Sequence, residues 1–147
     1  MRDGDGWTVC GQGHQHWGTH GAAGLLLVAP GPHVLLQHRA GWSHHGDTWG
    51  LPGGARGSTE TPVQTALREA TEETGLDTAT VEVTEVYVDD HGGWSYTTVI
   101  ATAQACLEVH AQDRESQDVR WVPAGSVADL VLHPGFAGTW PVLEPRL

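Results

Sequence analysis

Basic residues are scarce in this sequence. Seven arginines and no lysine stand against eighteen aspartates and glutamates, for a formal charge of −11 and a pI near 5.1. That shortage excludes the broad basic face that grips a nucleic-acid backbone. Cysteine is almost missing too. Cys10 and Cys106 are too few for a disulfide framework and say little about compartment. Long apolar runs are absent: the longest, G-A-A-G-L-L-L-V-A, is far short of a membrane span, and no signal-peptide pattern is visible. With no internal repeat and no low-complexity linker, the expectation is one domain over residues 1–147, cytoplasmic, with neither a nucleic-acid polymer nor a membrane as partner.

What is present suits a packed globular chain: 39% hydrophobic and 17% charged residues over 147 positions. Ten histidines make the charge sensitive to pH between about 5 and 7, since protonating all of them would move it from −11 to −1. The first twenty residues, rich in Gly, His and Trp, read as irregular. Residues 22–29 and 33–38 read as two strands joined by the turn A-P-G-P. Val and Thr alternate through 81–88 and again from Trp94 to Val109, and V-R-W-V at 119–122 is a short strand. P-A-G-S-V-A-D-L-V-L reads as a short helix, and Pro134 as a helix start or end. The strongest helix signal lies at 61–74: Thr61 as N-cap with Gln64 three residues on, Pro62 at the first helical position, Gly75 just past the end. Strands around one strongly marked helix give a mixed α/β domain.

That helix carries R-E-A-T-E-E, three glutamates within five positions. At about 100° per residue, with Glu69 at zero, Glu73 lies near about +40°, Glu72 near about −60° and Arg68 near about −100°. Ala66, Ala70, Val63, Thr74 and Leu67 fall on the neighbouring face, where small side chains permit close approach to a sheet. An acidic face half-buried in that way would be pushed towards its neutral form unless a cation met it. Hard oxygen ligands suit Mg²⁺, which binds through a few carboxylates plus substrate phosphates. A solvated charged face is the ordinary alternative.

From Gly54 to Leu76 the chain reads G-A-R-G-S-T-E-T-P-V-Q-T-A-L-R-E-A-T-E-E-T-G-L. This resembles the Nudix box, G-x5-E-x7-R-E-U-x-E-E-x-G-U, where U is bulky and apolar. Gly54, Glu60, Arg68, Glu69, Glu72, Glu73 and Gly75 match the fixed positions; Leu76 fits the last apolar one and Ala70 the other only loosely. The resemblance implies a Nudix-type α/β/α sandwich with a central mixed sheet and a catalytic loop-helix-loop at 54–76. It implies hydrolysis of a nucleoside diphosphate linked to another group, with Mg²⁺ or Mn²⁺. It assigns Glu69, Glu72, Glu73 and the backbone carbonyl of Gly53 as metal ligands, and Glu60 as the partner of Arg68. Glu115, six residues before Trp121, stands where MutT-like relatives place a loop glutamate, as an extra ligand or base. Many relatives dimerise, so a homodimer is open, though no apolar seam marks an interface.

Substrate choice is less legible. The ADP-ribose group of the family carries a proline some fifteen residues beyond the box, and this chain has none between Pro62 and Pro123. Compact length resembles the MutT-like members that cleave nucleoside triphosphates to a monophosphate and pyrophosphate. The alternatives are sugar-nucleotide, ADP-ribose or dinucleotide substrates, or a non-catalytic nucleotide-binding module, although such modules usually lose box glutamates. Arg39, His44 and His45 could meet phosphate, and Trp42, Trp49 or Trp94 could stack on a base; surface pairing and ordinary packing are their competing roles. Cys10, His14 and His16 form C-x3-H-x-H, three zinc-type ligands without a clear fourth.

Overall fold

The computed structural model describes residues 2–42, 45–112 and 116–147. A seven-stranded mixed sheet runs in the order β5-β4-β3-β8-β7, with β6 pairing β3 and β9 pairing β4. Its strands are β3 (Ala22–Ala29), β4 (His33–Arg39), β5 (Trp49–Gly50), β6 (Gly53–Ala55), β7 (Glu82–Asp90), β8 (Ser95–Thr102) and β9 (Ser116–Pro123). Among the described residues, β3 and β8 pair in parallel and the other strand pairs of this sheet are antiparallel. The run A-A-G-L-L-L-V-A forms β3 at the centre because a strand covered on both faces needs apolar side chains at consecutive positions.

Alternation along β3 divides the core in two. Leu25 and Leu27 meet Ala66 and Ala70 of helix α1 (Pro62–Thr74) on one face. Leu26 meets Phe136, Trp140 and Leu143 of helix α2 (Pro134–Leu143) on the other. This is the expected α/β/α sandwich. Helix α1 begins and ends where its chemistry places it: both halves of the Thr61/Gln64 capping box form, Pro62 sits in the first turn, and Gly75 closes the helix at φ 70°.

Two readings need correction. The first twenty residues are not irregular throughout: β1 (Trp7–Val9) pairs antiparallel with β2 (Gln15–Trp17), and Trp7 lies edge-on to Trp17 across the hairpin. The strand from Trp94 stops at Thr102 rather than Val109, because its neighbours stop there; β3 ends at Ala29 and β7 begins opposite Thr102. The stretch after Pro123 forms a short helix as expected, a 3₁₀ helix over Ala124–Asp129. Pro134 does start a helix.

Candidate active site

The loop and helix from Gly53 to Gly75 form one braced unit. Arg68 donates from Nε to Glu60 Oε2 at 2.6 Å and from Nη2 to Glu60 Oε1 at 2.8 Å, a bidentate pair. Glu60 Oε1 also accepts from Gly57 N at 3.0 Å and from Thr65 Oγ1 at 3.2 Å. These donors, Arg68 foremost, hold the Glu60 carboxyl down at about 2. Arg56 fastens the same turn by donating to the Glu60 carbonyl at 2.7 Å and to the His20 carbonyl at 3.1 Å. Outside it, Asp3 accepts from the amide and hydroxyl of Ser58, which lowers its own pKa.

The remaining fingers of Arg68 reach the glutamates of the helix. Nη1 donates to Glu69 Oε1 at 2.9 Å and to Glu72 Oε2 at 3.3 Å, while Arg2 pairs with Glu72 at 2.5 Å. Glu73 is only 5% exposed and accepts from the Gly53 amide at 3.0 Å through Oε2. Burial raises the pKa of Glu69 against the pull of Arg68, and Glu69 shares a hydrogen bond with Glu73. Three carboxylates, Glu60, Glu69 and Glu72, thus meet the guanidinium groups of Arg68 and Arg2, and Glu60 takes the bidentate contact of Arg68. Glu69, Glu72 and Glu73 line one face of the helix beside these contacts.

That donor set fits a hard divalent cation: several carboxylate oxygens on one helix face. The backbone explains the closeness. A Cβ on Gly54 would come within 2.6 Å of the Glu69 carboxyl carbon, and one on Gly53 within 2.5 Å of the Ala23 carbonyl. The Gly53 amide donates to Glu73 and so ties this turn to the helix.

Sequence reasoning missed several neighbours. Tyr96, on β8, places its hydroxyl where a side chain on Gly24 would lie, 2.0 Å from that Cβ position. Although part of its ring reaches solvent, its hydroxyl end is desolvated, which pushes the phenol above its usual range; the charges of Glu73 and Glu69 push the same way and Arg39 opposes them. Arg39 therefore faces this cleft. Gln37, two residues before it on β4, is 2% exposed and its Oε1 has no hydrogen-bond partner. Gln112 closes the far end of α1, its amide donating to the Glu73 carbonyl at 3.0 Å. Register across β4, β3 and β8 brings these residues together; nothing local to any of them signals it.

Other named residues go elsewhere. Glu115 and His44 lie outside the described residues. His45 packs edge-on against His133. Trp42 is exposed, Trp49 lies against His38 and under Arg120, and Trp94 is buried against His16. Two surface hollows of about 290 and 520 Å³ lie away from the box: one between β7 and α2, the other at the β3–β4 turn.

A mixed sheet sandwiched by helices, with a loop-helix presenting braced glutamates, is the arrangement expected of a Nudix-type hydrolase. The comparisons with known proteins agree: the NUDIX domain model matches residues 18–144, and the chain belongs to the Nudix hydrolase family. It is 56% identical over 148 residues to a Mycobacterium tuberculosis protein named "Putative 8-oxo-dGTP diphosphatase 3", covering 94% of this chain and 68% of that one. It is 43% identical to a Bifidobacterium longum nucleoside triphosphate pyrophosphatase/Nudix hydrolase fusion protein, covering 98% of this chain but 32% of that protein. Among solved structures, the M. smegmatis Nudix hydrolase RenU superposes with TM-score 0.88 at 51% identity, over 97% of this chain and 94% of RenU. The protein is a hydrolase of nucleotide diphosphate linkages, and enzymes of this family use divalent metal ions. Among the described residues, no helix is long and apolar enough to cross a membrane.

Proposed function

We propose that the protein is a nucleoside triphosphate pyrophosphohydrolase, releasing a nucleoside monophosphate and pyrophosphate with Mg²⁺ or Mn²⁺. The observation that carries the reading is the row of Glu69, Glu72 and Glu73 on one face of α1, beside an Arg68 whose bidentate contact goes to Glu60. The name of the mycobacterial relative favours triphosphate substrates, including oxidised dGTP, over ADP-ribose.

Glu69, Glu72 and Glu73 are the residues that would hold the cation, with the Gly53 carbonyl and Glu115 as further ligands. When bound, a divalent ion neutralises charge on the phosphoryl oxygens and lowers the pKa of the attacking water. Arg68 and Glu60 keep the helix and its loop at fixed separation, so the carboxylates need no reorganisation as charge develops. Water adds to one phosphorus, the bridging P–O bond breaks, and the bridging oxygen leaves with the other phosphate. A carboxylate of α1, or Glu115, takes the proton of the attacking water.

The test is turnover across a panel of dNTPs, oxidised dNTPs, ADP-ribose, NADH, sugar nucleotides and dinucleoside polyphosphates, with Mg²⁺, with Mn²⁺ and with chelator, products identified by mass. Metal-dependent release of monophosphate and pyrophosphate from a triphosphate is the expected result. Faster cleavage of a sugar nucleotide, ADP-ribose or a dinucleotide would overturn the substrate assignment, and unaltered turnover in Glu72→Gln the catalytic one.

A further inference from the structure

The fold supplies the fourth ligand that C-x3-H-x-H lacks. Cys10 and His14 flank the tip of the β1–β2 hairpin, and His16 lies within β2. His91 follows β7, in the turn to β8. One ligand atom from each of these four residues lies within 4.8 Å of every other. We infer that Cys10, His14, His16 and His91 bind one structural Zn²⁺ that staples the hairpin to the β7–β8 turn, a site separate from the glutamates of α1.

The side chains are prepared for a metal. His91 Nε2 lies 2.9 Å from Asp89 Oδ2, and its other nitrogen, Nδ1, is buried with no hydrogen-bond partner. A carboxylate on one imidazole nitrogen fixes the tautomer and leaves the second with its lone pair facing inward, as in carboxylate–histidine–zinc arrangements. His16 Nε2 is likewise buried without a partner. The His16 ring is held flat on Trp94, 3.9 Å between centroids and 6° from parallel. Cys10 is buried and not in a disulfide. Two orphaned ring nitrogens beside a buried thiol are costly without a ligand and are what a cation would satisfy.

The backbone points the same way. Gly11 N donates to Gly92 O at 2.5 Å, and Cys10 N to His14 O at 2.9 Å, so hairpin and turn are pinned at the site. A Cβ on Gly11 would come within 3.2 Å of the Gly92 carbonyl. Little else holds this corner. The strands are three residues long, and the local apolar cluster is Cys10, Ala22 and Trp94 with Tyr96 beside it. An isolated two-stranded hairpin is marginal in water; a metal clip offsets that deficit.

Ligand chemistry selects the ion. One thiolate and three imidazoles suit tetrahedral Zn²⁺ and not Mg²⁺, and four protein ligands leave no open position for catalysis. In a closed site, Zn–N and Zn–S bonds of about 2.0–2.1 and 2.3 Å require only modest side-chain closure from the present spacing. On binding, the Cys10 thiol loses its proton to solvent and no redox change occurs.

The deciding experiment uses the untagged full chain. Native mass spectrometry should find one zinc per molecule. Replacing it with Co²⁺ should give the intense visible bands of a tetrahedral site and a thiolate-to-metal charge-transfer band. Cys10→Ser should abolish that charge-transfer band. Asp89→Ala, which spares all four ligands, should weaken metal binding by about 10–100-fold. A wild-type protein that takes up no zinc, or whose Co²⁺ form shows only weak six-coordinate absorption, overturns the site. So does zinc whose binding is unchanged in both Cys10→Ser and His91→Ala, since the ion would then lie elsewhere. The wild-type Co²⁺ spectrum decides the matter even where a variant fails to fold.

Discussion

The loop and helix from Gly54 to Leu76 and the hairpin from Trp7 to Trp17 each gather ionisable side chains into a small volume, but they manage that charge differently. In the first, carboxylates outnumber the guanidinium groups that meet them, and Arg68 is shared among Glu60, Glu69 and Glu72. In the second, imidazoles gather beside a buried thiol, and His16 Nε2 and His91 Nδ1 have no hydrogen-bond partner. Excess anionic oxygen calls for a hard cation that can also meet phosphate; unpaired nitrogen and sulfur call for a borderline-soft ion held by protein alone. One is suited to chemistry and the other to architecture. They are nevertheless linked, because the hairpin continues back to Arg2 and Asp3, which touch Glu72 and Ser58 of that loop and helix.

The comparison breaks most readily at the glutamates. Glu73→Gln should lower kcat/KM by about three orders of magnitude or more, the several kcal/mol expected of metal-based charge stabilisation, with the circular dichroism spectrum unchanged. A loss below tenfold would place the chemistry elsewhere. Next is the brace: Glu60→Gln should cost about 1.5–3 kcal/mol of unfolding free energy in urea, since Arg68 loses its charged bidentate partner. An unchanged midpoint would contradict the bracing role.

The same pair predicts a pH dependence. Folded Glu60 titrates at about 2, below its ordinary value near 4.5. Its contribution to stability is therefore complete above about pH 4.5 and is lost as pH falls towards 2. The stability gap between wild type and Glu60→Gln should narrow between pH 5 and 3; a constant gap would show that charge is not its source.

The hairpin should respond to a different reagent. A strong zinc chelator should speed hydrogen exchange at Thr8 and His16 while α1 stays protected, and added Mg²⁺ should not restore the hairpin. Equal loss in both regions would merge the two sites into one. The smallest effect is local: Thr61→Ala should cost about 1 kcal/mol by removing the N-cap of α1, read as a lower thermal midpoint with kcat little changed.

The legibility of the two regions follows from the range of their contacts. Thr61, Gln64, Pro62 and Gly75 act within a few residues of one another, so the helix limits could be read directly, and Arg68 to Glu72 is one helical turn. The Glu60–Arg68 pair spans eight residues and was legible through the family pattern rather than through geometry. Tyr96 and Gln37 gave no signal, because their places in the cleft depend on which strands pair and in what register. The hairpin was hidden behind its glycines and histidines, although W-T-V and Q-H-W flank a turn with Gly13 in the left-handed region at φ 81°. Helix α2 contains Pro141 and two glycines, Gly135 and Gly138, and forms because Phe136, Trp140 and Leu143 have an apolar face of the sheet to cover.

By itself, then, the sequence determined helix α1, its caps, its line of glutamates and the central apolar strand, because periodicity and capping act between near neighbours. Only the tertiary structure decided that Tyr96 and Arg39 face that helix, and that His91 joins Cys10, His14 and His16 from 75 to 81 residues away. Those juxtapositions arise from sheet register and from a hairpin folding back on a distant turn, and such long-range closure leaves no local mark on the residues it unites.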